Sequence, residues 1–213
     1  MSRRKSSSDR PRTSKPTIPL DKPLRVIGGE LRNRPIRYLG DPRTRPMKDR
    51  VREALFNLIG PDVKGKHVID LFAGTGALGF EAISRGAARA TLIERHFPSA
   101  AMIRQNMVDL AVESQCQVFA ADAFLWLRQQ RASNPDLLAG QPWLILCSPP
   151  FDFFVNRIPE MHRLLADMKQ AAPANSLMVV ESDQRFDFTT LQDLGDWDVR
   201  SYSPARLGII DVP

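Results

Sequence analysis

Apolar residues recur along this chain with two periods. Short, nearly continuous apolar runs at 67–71, 90–93, 117–120, 143–147 and 177–181 have the length of strands buried on both faces. Between them, at 77–85, 98–110, 123–130 and 157–170, apolar residues return every three or four positions, as on a helix with one buried stripe. Gly86 stops the first of these helices and Pro98 opens the second. Residues 133–140 have loop composition. Two further runs, near 197–202 and 207–212, are separated only by a short turn around Pro204, which predicts an antiparallel edge hairpin. Repeated strand–helix units predict an α/β, Rossmann-like fold: a mostly parallel, seven-stranded sheet with helices on both faces.

The pattern changes upstream. Residues 1–22 are rich in Ser, Arg, Lys and Pro and carry little apolar surface to offset the entropy of ordering, which predicts a disordered basic tail. Residues 24–40 hold two short alternating runs around Gly28-Gly29, which predicts a small β-hairpin or meander. It carries Arg25, Arg32, Arg34 and Arg37. A helix follows at 47–59, with Val51, Leu55, Leu58 and Ile59 on one face and Gly60 at its end.

Charge adds to this picture. Residues 1–52 hold 16 Lys/Arg against 5 Asp/Glu, whereas the chain as a whole carries only +6. A basic region that continues into a folded segment suits a polyanion, whose phosphates release counterions when neutralised. Pro11, Pro16, Pro19 and Pro23 make the same region unsuitable as a membrane-surface helix. No apolar run approaches bilayer length, and none follows the N-terminal charges as in a secretory signal, so a cytoplasmic protein is expected. Cys116 and Cys147 lack metal-like spacing and read as reduced, buried thiols. His67, His96 and His162 are scattered, so no metal site is expected. Trp126 has core spacing, and one of Phe153 and Phe154 is expected to pack inside.

Two segments carry chemistry. The first, Val68-Ile69-Asp70-Leu71-Phe72-Ala73-Gly74-Thr75-Gly76-Ala77-Leu78-Gly79, ends a strand and opens a helix. Its glycines let a ligand approach the backbone. The spacing also satisfies the dinucleotide-binding pattern. Asp70, however, stands at the strand end, where a carboxylate meets a pyrophosphate poorly and suits an amino group or a sulfonium. S-adenosylmethionine is therefore the favoured ligand, with Phe72, Ala73, Gly74 and Gly76 around it. Glu94, ending the second strand, can accept from two ribose hydroxyls. Asp122, with Ala123 after the third strand, can accept from the adenine amine, cap the next helix, or do both. The second segment, Ser148-Pro149-Pro150-Phe151, is a rigid turn after the fourth strand, at the edge where open α/β sheets bind ligands. An exocyclic amine is a poor nucleophile because its lone pair is delocalised into the ring. Acceptors on its two hydrogens can aim that lone pair, and Phe151 can stack on the base.

In this order the motifs resemble those of class I methyltransferases with a (D/N/S)-P-P-(Y/F) signature. More narrowly the chain resembles the bacterial RsmD-type family of ribosomal RNA methyltransferases. The matching residues are Leu24-Arg25-Val26-Ile27-Gly28-Gly29, Arg45-Pro46, Asp49-Arg50-Val51-Arg52-Glu53-Ala54-Leu55-Phe56-Asn57, Asp70 to Gly79, Leu92-Ile93-Glu94 and Pro149-Pro150-Phe151. The resemblance implies S-adenosylmethionine as cofactor, methylation of a guanine N2 amine in small-subunit ribosomal RNA, and RNA or the assembling 30S particle as partner. Arg25, Arg32, Arg34, Arg37, Arg45, Lys48 and Arg50 would then hold RNA. The expected division is a tail at 1–22, an RNA-binding hairpin and helix at 23–60, and a methyltransferase domain at 61–213, acting as a monomer. Ser148 stands where the family carries Asp or Asn, and Met47 and Lys48 where it tends to have Thr. Serine at that place also occurs in cytosine-N4 methyltransferases. Methylation of a cytosine or adenine amine, or an RNA-binding role without catalysis, therefore stays open.

Overall fold

A computed structural model of the chain describes residues 24–40, 46–133 and 140–213. The expected tail at 1–22, Arg45 and most of the expected loop at 133–140 lie outside the described residues. Within them, one sheet is formed by β1 (His67–Asp70), β2 (Arg89–Ile93), β3 (Cys116–Phe119), β4 (Trp143–Cys147), β5 (Ser176–Asp183), β6 (Asp198–Tyr202) and β7 (Ala205–Val212). Their spatial order is β3-β2-β1-β4-β5-β7-β6. The first five run parallel, and β7 runs antiparallel to both β5 and β6. The mostly parallel sheet with an antiparallel edge hairpin is thus as expected, with β7 inside and β6 at the rim. The helices are α1 (Asp49–Ile59), α2 (Ala77–Ser84), α3 (Phe97–Leu110), α4 (Ala123–Ser133), α5 (Phe153–Asn156) and α6 (Ile158–Ala171).

The central strands read as unbroken apolar runs because both of their faces are covered. Every residue of β1 and of β4 is buried. Alternate residues serve opposite layers. Val68, Leu144 and Leu146 join a cluster with α1, α2 and α3, while Ile69, Ile145 and Cys147 join another with α4 and α6. Trp126 and Phe154 are buried in the second cluster. Both cysteines are free and buried, and burial pushes both thiols up. The sheet reverses its winding between β1 and β4, which opens a crevice at the carboxyl ends of those strands.

Three local features differ from the expectation. The helix expected at 157–170 is preceded by the short α5 and interrupted at Arg157, whose φ of −137° is not helical. A 3-10 segment, Phe188–Leu194, joins β5 to β6, opened by Asp187, which accepts from the Thr189 amide. The expected N-terminal hairpin is short: its one bridge, between Arg25 and Pro35, is flanked by backbone bonds from the Val26 amide to the Arg34 carbonyl at 3.0 Å and from the Ile36 amide to the Leu24 carbonyl at 2.8 Å. Pro35 is accommodated because its nitrogen faces away from the partner segment. The tip's amides go to α2. Those of Ile27 and Gly28 donate to the Glu81 carboxylate at 2.7 and 2.8 Å, and that of Glu30 to the Ser84 carbonyl at 2.8 Å. Gly29 makes this docking possible: its φ is +73°, and a Cβ there would lie 1.8 Å from the Ser84 oxygen.

Glu81 is fully buried and also accepts from Arg85 Nε at 2.8 Å. Arg52, equally buried on α1, stands 3.7 Å from the same carboxylate. Its Nη2 donates to the Arg25 carbonyl at 2.6 Å and to Asp49 Oδ1 at 3.1 Å, and its Nη1 to the Met47 carbonyl at 3.4 Å. Burial lowers the Arg52 pKa, and Asp49 and Glu81 oppose that shift. One carboxylate therefore holds the N-terminal loop, α1 and α2 together. Removing it breaks a buried pair and leaves Arg52 paired with Asp49 alone, a change that typically costs about 3–5 kcal/mol. Glu81→Ala is expected to lose about that much in urea denaturation; a loss below about 1 kcal/mol would show that the tie contributes little.

Candidate active site

The crevice at the carboxyl ends of β1 and β4 is a cavity of about 810 Å³. That volume falls within the ~300–1,000 Å³ usual for ligand sites. Phe72, Ala73 and Gly74 line it, with Glu94 after β2 and with Asp122 and Ala123 after β3. Ser148, Pro149, Pro150 and Phe151 line the same space from the end of β4, and Lys48 from the entry to α1. Two segments separated by more than 70 residues of sequence are thus brought to one wall.

The acids at the strand ends are held in place by the backbone. Glu94 accepts from the Gly74 amide at 2.8 Å and from the His96 amide at 2.7 Å. Its carboxylate therefore sits on the glycine loop, with lone pairs remaining toward the cavity. Asp122 accepts from the Phe124 amide at 2.8 Å and so caps α4, while its other oxygen accepts no hydrogen bond among the described residues. Capping and ligand binding are compatible there. This donor set suits hydroxyls and amines. It disfavours a pyrophosphate, because the Gly74 amide that would meet it is already given to a carboxylate.

Asp70 and Gly76 take other places than expected. Asp70 is fully buried and is not among the residues that line the cavity. Neither of its oxygens has a hydrogen-bond partner; the backbone amides of Phe72 and Gly79 oppose its shift without reaching bonding geometry. Burial, followed by the nearby Glu94 charge, raises its pKa to about 7. Gly76 also lies outside the cavity wall. Its φ is +79° and a Cβ would meet Phe80 at 2.7 Å, so glycine is required there by the turn into α2.

The structure adds Glu181 and Phe124, which the pattern did not single out. Glu181, on β5, lines the cavity with only 6% of its surface exposed, and its carboxylate accepts from the Ser148 hydroxyl. Its signal was an acid in an otherwise apolar strand at the ligand edge, the signal already used for Glu94. Phe153 and Phe124 line the cavity beside Phe72, with ring centroids 5.9 to 6.1 Å apart. The Arg157 guanidinium lies over the Phe124 and Phe153 rings at 4.2 and 4.9 Å. In the Ser148–Phe151 turn, the carbonyls of Pro150 and Phe151 accept from the Phe153 and Phe154 amides. Those of Ser148 and Pro149 accept no hydrogen bond among the described residues.

The basic residues divide into two groups. Arg37 pairs with Asp109 at 3.1 Å, Arg34 donates to the Asp109 carbonyl at 2.6 Å, and Arg25 lies 3.8 Å from Asp49. Arg32, Lys48 and Arg50 are exposed and have no partner among the described residues. Those residues contain no cluster of metal-ligating side chains and no helix long and apolar enough to cross a membrane.

The Asp70 shift sets a pH dependence. A carboxyl with a raised folded pKa stabilises the native state while protonated, and that contribution is lost as pH rises from its unfolded value near 4 through about 7. The melting temperature of the ligand-free protein should therefore fall between pH 5 and 8, on the scale of those two pKa values, and Asp70→Asn should flatten that fall. Equal slopes in the two proteins would remove Asp70 as the cause.

Comparison with known proteins places this geometry in a family. The profile described as "Conserved hypothetical protein 95" matches residues 24–209. The ribosomal RNA small subunit methyltransferase D of Haemophilus influenzae is 32% identical over 164 residues, which are 76% of this chain and 79% of that one. Its namesake from Escherichia coli K12 is 36% identical over 128 residues, 60% of each chain. The chain spans 54% and 60% of the length of the first curated relatives that it matches, from Bacillus subtilis and Escherichia coli. The solved structure of yhhF from Escherichia coli superposes with a TM-score of 0.66 at 25% identity, covering 88% of this chain and 97% of that one. The 16S rRNA N2 G1207 methyltransferase RsmC of Thermus thermophilus, solved with AdoMet and guanosine, shares the fold at a TM-score of 0.63 and 18% identity, covering 82% of this chain and 45% of that one. The chain belongs to the "Conserved hypothetical protein 95" family, the RsmD-type family of ribosomal RNA methyltransferases.

Proposed function

We propose that this protein transfers a methyl group from S-adenosylmethionine to the exocyclic N2 amine of a guanine in small-subunit ribosomal RNA. The observation that carries the reading is the meeting, in one cavity, of the Glu94- and Asp122-flanked glycine loop with the Ser148-Pro149-Pro150-Phe151 turn. Family membership and the names of the Haemophilus and Escherichia relatives support ribosomal RNA as the substrate. The shared fold of the guanosine complex supports pairing this cofactor with a guanine base.

The residues present fit the cofactor. Glu94 has lone pairs for two ribose hydroxyls, Asp122 a free oxygen for the adenine amine, and the Phe72–Gly74 loop a backbone surface for the amino-acid portion. When bound, S-adenosylmethionine supplies an electrophilic methyl group on a sulfonium. The chain's own task is then to place the amine. Ser148 donates its proton to Glu181, which leaves its oxygen lone pairs to accept from one amine hydrogen. A carbonyl of the same turn can accept from the other. Phe151, half-buried at the cavity, offers a stacking face for a base drawn out of its helix. Positioning of this kind is the main contribution available without a strong base.

RNA is read here as held by the N-terminal segment, residues 23–60, against the methyltransferase domain at 61–213, with the basic tail adding charge. Lys48 lines the cavity, Arg32 and Arg50 are exposed cations without a partner among the described residues, and Arg25, Arg34 and Arg37 can exchange their exposed pairings for phosphates at little cost. The partner is RNA or the assembling 30S particle, met by a monomer in the cytoplasm.

The test is transfer of labelled methyl from S-adenosylmethionine to small-subunit particles lacking their native guanine-N2 modification, followed by nucleoside analysis. Labelled N2-methylguanosine is expected. Label on cytosine or adenine would replace the base assignment, and cofactor binding without transfer would leave a binding role. For the RNA surface, Arg32→Glu with Arg50→Glu should weaken RNA binding about tenfold and reduce the salt slope by about two, with cofactor affinity unchanged. An unchanged slope would place the RNA elsewhere.

A further inference from the structure

Two buried glutamates in this chain have opposite surroundings. Glu81 is satisfied by two backbone amides and faces two arginines. Glu181 is nearly as buried, with 6% of its surface exposed, yet it lines the cavity and has no cation paired with it among the described residues. Its partner is the Ser148 hydroxyl. The sheet register fixes the pair: Cys147 lies opposite Val180, so the next residues, Ser148 and Glu181, come side by side at the edge where β4 and β5 end. A buried carboxylate held by one hydroxyl and by no cation is costly, and burial pushes its pKa up.

Resting on the amine-methylation reading, we propose that Glu181 is the positioning residue and final proton acceptor for the target amine, acting through Ser148. The hydroxyl is polarised toward Glu181, so its oxygen faces the amine as an acceptor. As the new nitrogen–carbon bond forms and the carbon–sulfur bond breaks, the sulfonium becomes a neutral thioether and the amine nitrogen carries an extra proton. That proton passes to Ser148 Oγ while the hydroxyl's own proton passes to the Glu181 carboxylate, leaving a neutral methylamine, an intact serine and a protonated glutamate. Serine and glutamate together thus supply the acceptor and the negative charge that a single aspartate at position 148 would combine.

The experiment is a double-mutant cycle on the full chain, with kcat and KM for particles measured alongside cofactor affinity by calorimetry. Glu181→Gln keeps the shape but cannot take a proton; kcat should fall about a hundredfold, with KM and cofactor affinity within threefold of the native protein. Ser148→Ala should lose a similar factor, and the double variant little more than either, because the two act as a unit. If Glu181→Gln does not melt cooperatively, Glu181→Asp, which keeps the acid on a shorter arm, replaces it in the cycle. A kcat within threefold of native, or losses that multiply in the double variant, overturns the relay. Absence of any transfer by the native protein overturns the amine-methylation reading and this inference with it; an active native protein with an indifferent Glu181 overturns this inference alone.

Discussion

The buried Glu81 carboxylate is the interaction on which the arrangement around the site depends. It lies on α2, the helix that the glycine loop opens, and it receives the amides of Ile27 and Gly28 from the N-terminal segment. Through its attraction for Arg52 it also sets α1, whose entry contributes Lys48 and Val51 to the cavity wall. A basic surface segment and a cofactor loop are thereby built onto opposite ends of one charge cluster. The cluster is net cationic in formal charge, with Arg52 and Arg85 against Glu81, and Asp49 completes the balance at Arg52. The energetic weight of such a cluster lies less in its net stabilisation than in the penalty for leaving any member unmatched.

The same principle, applied with the opposite outcome, distinguishes the catalytic edge. At the ends of the parallel strands the ladder stops and carboxylates can be presented without disturbing it. Glu94 and Asp122 follow the ends of β2 and β3, and Glu181 stands where the β4–β5 ladder stops while β5 continues beside β7; each is held by a different partner: a loop amide, a helix N-terminal amide and a serine hydroxyl. The first two anchors are backbone groups and fix geometry. The third is a side chain that carries a transferable proton. A glycine loop whose amide is committed to Glu94 has little left for phosphate, and this separates the site from dinucleotide-binding crevices that share its spacing.

Aromatic packing links the two halves of the cavity. Phe72 from the glycine loop, Phe124 from α4 and Phe153 from the turn after Pro150 touch one another, and Arg157 covers two of the rings. The break in the chain at Arg157 separates α5 from α6 and lets that side chain reach the cluster. The segment after the Ser148–Phe151 turn and the glycine loop are thus joined by ring contact.

Sequence alone determined the sheet, because strands covered on both faces must be continuously apolar and the helices between them must be striped. It also determined the two chemical segments, since Gly74-Thr75-Gly76 and Ser148-Pro149-Pro150-Phe151 combine residue types whose backbone constraints few other turns need. Tertiary structure decided which polar groups face the cavity. Asp70 lies at a strand end, just as Glu94 follows one, yet it is buried away from the cavity because the chain turns over it before α2 begins. Glu181 was hidden inside a strand and became part of the site only through the register of β5 on β4. The docking of the hairpin tip, and the pairing of Arg34 and Arg37, likewise depend on where α2 and α3 place Glu81, Ser84 and Asp109. Local pattern fixes which elements form; the partners of a side chain are set by groups distant in sequence, and no local period encodes them.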